Sequence, residues 1–194
     1  MENEGTDKPR VTTVSQTVGP FFHIGLQWLF GERVAEPEAV GRHIAVEGRV
    51  LDGDGVPVPD ALVEAWQADA NGYYVDPSAP QDMTPGFRGY ARVPTTADGR
   101  FRFSTVKPGR VPGPGAGLQA PHILVAVFMR GLLRQAVTRI YFSDEPSNQE
   151  DGVLRRVPAA RRSTLVARQK ANQPDVFEWN IVLQGAHETV FFDF

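Results

Sequence analysis

The sequence contains no cysteine. That absence excludes disulfides, thiolate-held zinc, iron–sulfur clusters and a cysteine nucleophile, and it suits a reducing cytoplasm, the expected location. Long apolar runs are missing as well. The longest, Ile123 to Met129, has seven residues, against the roughly 18 that a membrane-spanning helix needs, so no membrane segment is expected. An excess of one charge is also missing. A formal net charge of −3 over 194 residues offers no general electrostatic reason to bind nucleic acid. The opening MENEGTDKPR is charged and lacks the apolar stretch of a signal peptide, and residues 1–11 read as a mobile tail.

Local catalytic signatures are equally sparse. Only His23, His43, His122 and His187 are available, and no two stand at the spacing of a local metal-binding pair. On residue type alone each reads as a surface or satisfied core histidine. There is no G-x-S-x-G nucleophile turn. The glycines from Gly109 to Gly115 alternate with prolines, which removes the amide donors of a phosphate-binding loop. From Val153 to Pro174 the chain carries Arg155, Arg156, Arg161, Arg162, Arg168 and Lys170 and no acid. Without interleaved aromatics this reads as a solvated face rather than a nucleic-acid surface.

What is present is turn chemistry and alternation. Hydrophobic residues make up 41% and charged residues 22%, ordinary proportions for one globular domain. Nineteen glycines and sixteen prolines without a repeat point to many turns and short strands. Alternation in HIAVEGRVLD and ALVEAWQ around Asp52-Gly53-Asp54-Gly55 predicts one hairpin. Gly89 to Val93 and Phe101 to Thr105 around Ala97-Asp98-Gly99-Arg100 predict another. HILVAVFM is apolar on both faces and predicts a buried central strand, followed by strands over Gln135 to Phe142, TLVAR and VFEWNIVLQG, with TVFFDF closing the chain. Residues 143–163 read as irregular with a short helical turn. Seven to nine short strands without long helices predict an all-β, antiparallel β-sandwich over 43–194. Residues 12–42 form an N-terminal arm whose cluster Phe21, Phe22, Ile24, Leu26, Trp28, Leu29 and Phe30 calls for cover from the core or another subunit. The long loops, Tyr74 to Arg88 and Lys107 to Ala120, are where a rigid sandwich would carry chemistry.

Five ordered segments carry more than composition. Val63-Glu64-Ala65-Trp66-Gln67-Ala68-Asp69-Ala70-Asn71-Gly72-Tyr73-Tyr74, then Thr105-Val106-Lys107-Pro108-Gly109, then Ala120-Pro121-His122-Ile123 resemble the intradiol ring-cleavage dioxygenases. Ser15-Gln16-Thr17-Val18-Gly19-Pro20-Phe21-Phe22-His23-Ile24-Gly25 and Glu188-Thr189-Val190-Phe191-Phe192-Asp193-Phe194 resemble, more narrowly, the alpha chains of that family's two-chain members. The resemblance implies a β-sandwich, in agreement with the strand reading. Catalytic chains of the family hold a non-haem Fe(III) with two tyrosines and two histidines. Tyr74 matches the first tyrosine and His122 the first histidine. Arg110 and Val111 stand where the second tyrosine should follow Lys107-Pro108-Gly109, and Leu124 stands where the second histidine should be.

Fe(III) is a hard ion that wants anionic oxygen donors, and one tyrosine with one histidine does not replace a four-ligand set. Rescue by Tyr73, Tyr90 or His43 would need a different geometry. Tyr74 and His122 are therefore expected to be vestigial iron-site positions, with no metal and no catalytic residue in this chain. By the resemblance, Fe(III) belongs to an iron-bearing beta subunit of the same family, protocatechuate and O2 meet at a site shared by the two chains, and the assembly is a large hetero-oligomer. Thr17, Gly19, Pro20 and Arg130 match positions that line the substrate pocket. Without the resemblance, Gly19-Pro20 is a plain turn and Arg130 a strand-end surface charge. Two alternatives remain open at this point: a stand-alone iron dioxygenase with substituted ligands, and a transthyretin-like sandwich that only binds or assembles.

Overall fold

The structure, a computed structural model, describes residues 12–19, 21–75, 85–113 and 117–193. The expected tail, Pro20 and most of the first long loop lie outside the described residues. In chain order the elements are a one-turn helix α1 (Phe21–Ile24) and the strands β1 (His43–Leu51), β2 (Leu62–Trp66), β3 (Tyr90–Pro94) and β4 (Arg100–Val106). A ribbon of β5 (Val111–Pro112) and β6 (Leu118–Gln119) precedes β7 (His122–Phe128) and β8 (Ala136–Phe142). Three short 3-10 turns lie between Pro146 and Leu165. The chain then enters β9 (Val166–Lys170), β10 (Gln173–Glu178) and β11 (Ile181–Val182). Among the described residues no helix is long and apolar enough to cross a membrane.

Two layers face each other. One is ordered β3-β2-β7-β8, all antiparallel. In the other, β4 and β10 flank β1, and β9 follows β10. A parallel pairing of β8 with β9 joins the layers into one ribbon, and β1 also runs parallel to β10 and β11. Alternation delivers the core. Val46, Val50, Phe101, Phe103 and Phe177 point in from one layer and Val63, Val125, Val127, Ile140 and Phe142 from the other. Phe142 and Phe177 meet edge-on with centroids 5.1 Å apart across the seam. Each of these fully buried side chains contributes roughly 1.5–3 kcal/mol of transfer free energy.

The all-β sandwich stands, but the two predicted hairpins do not. Asp52 to Gly55 does turn the chain, with Asp52 Oδ1 accepting from the amides of Asp54 and Val56 at 2.9 and 2.8 Å. However, β1 pairs with β4 while β2 pairs with β3 and β7. Likewise β3 and β4 are joined by a turn and then diverge into opposite layers. Period-2 alternation says which face of a strand is buried and is silent about its neighbour; here consecutive strands supply facing layers. β7 is the buried central strand the sequence predicts. Residues 31–35 stitch the two free ends of the ribbon together: Gly31 exchanges both backbone hydrogen bonds with Arg92 of β3, and Val34 donates to Ser104 of β4 at 2.8 Å. Val34, Ala35 and Ala39 belong to the main core.

A charge cluster ties the start of β1 to the segment after β4. Asp144 accepts from Arg42 at 2.8 Å and from Lys107 at 2.9 Å. Burial works against its ionisation, but the hydrogen bonds and charges of Lys107 and Arg42 outweigh burial and hold its pKa below the ordinary aspartate value. A depressed folded-state pKa contributes stability that is complete above the unfolded value of about 3.9 and is lost as pH falls through the folded value. Asp144→Asn is therefore expected to flatten the acid limb of stability against pH below about pH 4, as read by urea midpoints at successive pH values. An unchanged slope would show that the cluster contributes nothing.

Candidate functional site

The motif residues brace two loops against each other. Gln67, fully buried at the end of β2, donates from Nε2 to Val106 O at 2.9 Å and accepts on Oε1 from Thr105 at 2.8 Å. That locks the segment before Lys107-Pro108-Gly109 to β2. Asp69 Oδ1 then accepts from the amides of Asn71 and Tyr73, both at 2.9 Å, an Asx turn that reverses the chain. Gly72 has φ +87°, and a Cβ there would lie 2.1 Å from Arg110 O, so only glycine lets the two loops touch. The turn carries Tyr74 back over Trp66, with ring centroids 4.8 Å apart.

The positions that the resemblance assigns to the metal lie on the outward face of the β2-β7-β8 layer. His122 is opposite Tyr141, and Leu124 lies between Trp66 and Arg139. His122 is 5% exposed, and its Nδ1 lies 2.8 Å from Ala120 O. Burial holds its pKa below the histidine norm. Burial also raises the Tyr74 pKa, more than the nearby charge of Arg139 lowers it, so this phenol is neutral at neutral pH. Arg110 Nη2 turns to Leu118 O at 3.1 Å and Glu150 at 3.3 Å, and Leu124 has no donor atom. One phenol and a single imidazole fall short of the larger donor set that a ferric ion needs.

Of the predicted substrate-lining residues, Thr17 is joined to the segment that carries Arg130, away from the metal positions. Thr17 Oγ1 accepts from the amide of Gly131 at 2.8 Å, which sets the arm beside Arg130 at the end of β7. Phe22 anchors the same stretch, its ring 5.0 Å from that of Phe128 and under the guanidinium of Arg92. Gly19 is exposed, and its carbonyl accepts from Phe22 N at 3.1 Å. Pro20 lies outside the described residues. The arm's cluster is only partly covered: Ile24 and Trp28 remain exposed.

Three residues near these positions carry no motif in the sequence. Asp60 pairs with Arg130 Nε at 2.8 Å; its only signal is an acid in the Pro-rich turn before β2. Asp151 is fully buried, and its side chain accepts from Tyr141 Oη at 3.0 Å and from the amides of Ala120, Val153 and Leu154. Its signal is the short helical turn expected within residues 143–163. Arg139 is the one cation within the apolar run of β8. The basic run has a structural use as well: Arg162 caps the carbonyls of Val157 and Arg155 at 2.8 and 2.9 Å. An open cleft lined by Phe30, Glu47, Arg100 and Glu178 includes none of the predicted site residues.

The model of the Dioxygenase family matches residues 31–185, and the chain belongs to this family, the intradiol ring-cleaving dioxygenases. Its sequence is 46% identical to the protocatechuate 3,4-dioxygenase alpha chain of Burkholderia cepacia, over 93% of this chain and 96% of that one. To the protocatechuate 3,4-dioxygenase beta chain of Burkholderia cepacia it is 35% identical, over 90% of this chain and 77% of the other. Among solved structures, the dioxygenase domain of a dioxygenase carbohydrate-binding fusion from Streptomyces sp. SirexAA-E superposes with a TM-score of 0.62 at 26% identity, covering 81% of this chain and 89% of that one.

Proposed function

We propose that this chain is the iron-free alpha subunit of a protocatechuate 3,4-dioxygenase, working in the cytoplasm with an iron-bearing beta subunit of the same family in a large hetero-oligomer. The complex uses O2 to open protocatechuate between its two hydroxylated carbons, giving 3-carboxy-cis,cis-muconate. The Fe(III) of the beta subunit supplies the activation that this chemistry needs. This chain supplies walls and charge. Residues 12–42 act as the arm that carries Thr17, Gly19 and Pro20 to the shared pocket, and residues 43–194 form the sandwich that carries Arg130.

The carrying observation is the hydrogen bond from Gly131 to Thr17, which makes one patch of two segments 114 residues apart in sequence. The Arg130–Asp60 contact engages Nε and leaves the opposite edge of the guanidinium for the substrate carboxylate. Glycine at 19 presents no side chain, and among the described residues no atom beyond its chain neighbours stands within 4 Å of where its Cβ would be, so a flat ring can approach the backbone.

Co-purification with the cognate beta chain tests the reading. The complex should cleave protocatechuate and contain iron, while this chain alone should be colourless and inactive. Failure to associate, or equal turnover by the beta chain alone, would overturn it. Within the complex, Arg130→Ala should raise KM for protocatechuate about tenfold or more, the scale of one lost charge-assisted hydrogen bond, with little change for unsubstituted catechol. Parallel changes for the two substrates would remove Arg130 from carboxylate recognition.

A further inference from the structure

The outward face of β7 and β8 holds a cation at the vestigial metal position. Register places Arg139 directly across from Leu124, where the family's second histidine would stand, and two residues from Tyr141, which lies opposite His122. Trp66 flanks Leu124 on the other side and stacks on Tyr74. The side chains of Trp66, Leu124 and Arg139 thus form one row, with His122 and Tyr141 in the next. Arg139 Nη1 donates to Gln119 Oε1 at 2.7 Å, and its guanidinium lies 6.0 Å from the ring centroid of Phe192. Its Nε is buried without a hydrogen-bond partner, so the group stays beside the Phe192 ring at a desolvation cost that is only partly compensated.

We propose that Arg139 is a resident cation standing where the family's metal would stand, so that this chain is closed to iron by an occupying charge as well as by two missing donors. A guanidinium is permanently protonated, carries donors only and offers no lone pair. Held by Gln119 in the row beside Leu124, it offers an entering metal no ligand and repels any cation. The inference rests on the iron-free reading above and assigns Arg139 a positioning role, with no contact to substrate.

The test is iron uptake by the full chain after donor restoration. Arg110→Tyr/Leu124→His is expected to take up essentially no Fe(III), by metal analysis and by the visible phenolate-to-iron absorption. Adding Arg139→Gln should yield a coloured protein with iron approaching one per chain. Adding Arg139→Lys instead, which keeps the charge, should leave the chain colourless. Circular dichroism and a cooperative melt show that each variant is folded, and Arg139→Met replaces Arg139→Gln if the latter is not. Equal iron in the double and triple variants, or none in folded Arg139→Gln and Arg139→Met triples, overturns the proposal. Iron taken up by the unmodified chain would instead overturn the iron-free reading itself.

Discussion

Gly72→Ala is expected to lower the thermal midpoint by roughly 6–12 °C, the shift that a loss of about 3 kcal/mol produces in a domain of this size. Two independent penalties act together. The backbone sits at φ +87°, and the new Cβ would lie 2.1 Å from the carbonyl oxygen of Arg110, a main-chain atom that cannot rotate away. Gly55→Ala is the control. Its φ of +79° carries the same conformational strain, but nothing lies within 4 Å of the added carbon, so only about 1–2 kcal/mol should be lost. If the two variants melt together, the contact between the Asp69 turn and the segment after Gly109 is not rigid. A melt of Gly72→Ala close to the unmodified protein would show that the loops part easily, and with them the placement of Tyr74.

Asp151→Ala should cost about 3–5 kcal/mol, the range for removing one partner from a buried charged network. The carboxylate accepts from the Tyr141 hydroxyl and three backbone amides, and all four donors would be left without their acceptor. Asp151→Asn separates charge from geometry. Its carbonyl oxygen can keep the three bonds made by Oδ1, while its amide group must face Ala120 N, so a smaller loss of about 1–3 kcal/mol is expected from two donor groups left facing each other. Urea unfolding of the three proteins measures the ladder. Equal losses for both substitutions would mean that the ion, rather than the count of accepted hydrogen bonds, sets the stability of this corner. The corner matters to the site because Ala120, which anchors the His122 ring, is itself held by Asp151.

Strand positions were legible because each side chain's burial repeats with period two, and β7 announced itself by being apolar on both faces. Strand partners were not legible. The turns at Asp52 and Gly99 formed as their residues require, yet the strands they join belong to opposite layers. A turn fixes the direction of the chain over a few residues and does not fix which edge the next strand finds. The motifs around Gln67, Gly72 and Gly109 were readable only as a resemblance, and their geometry explains them as braces between loops. Thr17 and Arg130 could be matched separately to the family; the hydrogen bond joining their segments, and Asp60 beside Arg130, depend on folding. Arg139 was hidden because a single arginine in a strand looks like an outward-facing surface residue. Its meaning comes from standing across from Leu124.

The bridge formed by residues 31–35 has a consequence for how the amino-terminal region is dissected. Gly31 and Val34 hold strands from both layers through their main chain, and they follow directly on the stretch that reaches Arg130. A deletion that trims the region past residue 30 would remove a hem that keeps the two layers from peeling apart, exposing backbone groups open to unwanted strand addition. Lost turnover in such a shortened chain would then confound a frayed scaffold with a missing pocket wall, whereas point changes at Thr17 or Gly19 leave the hem sewn.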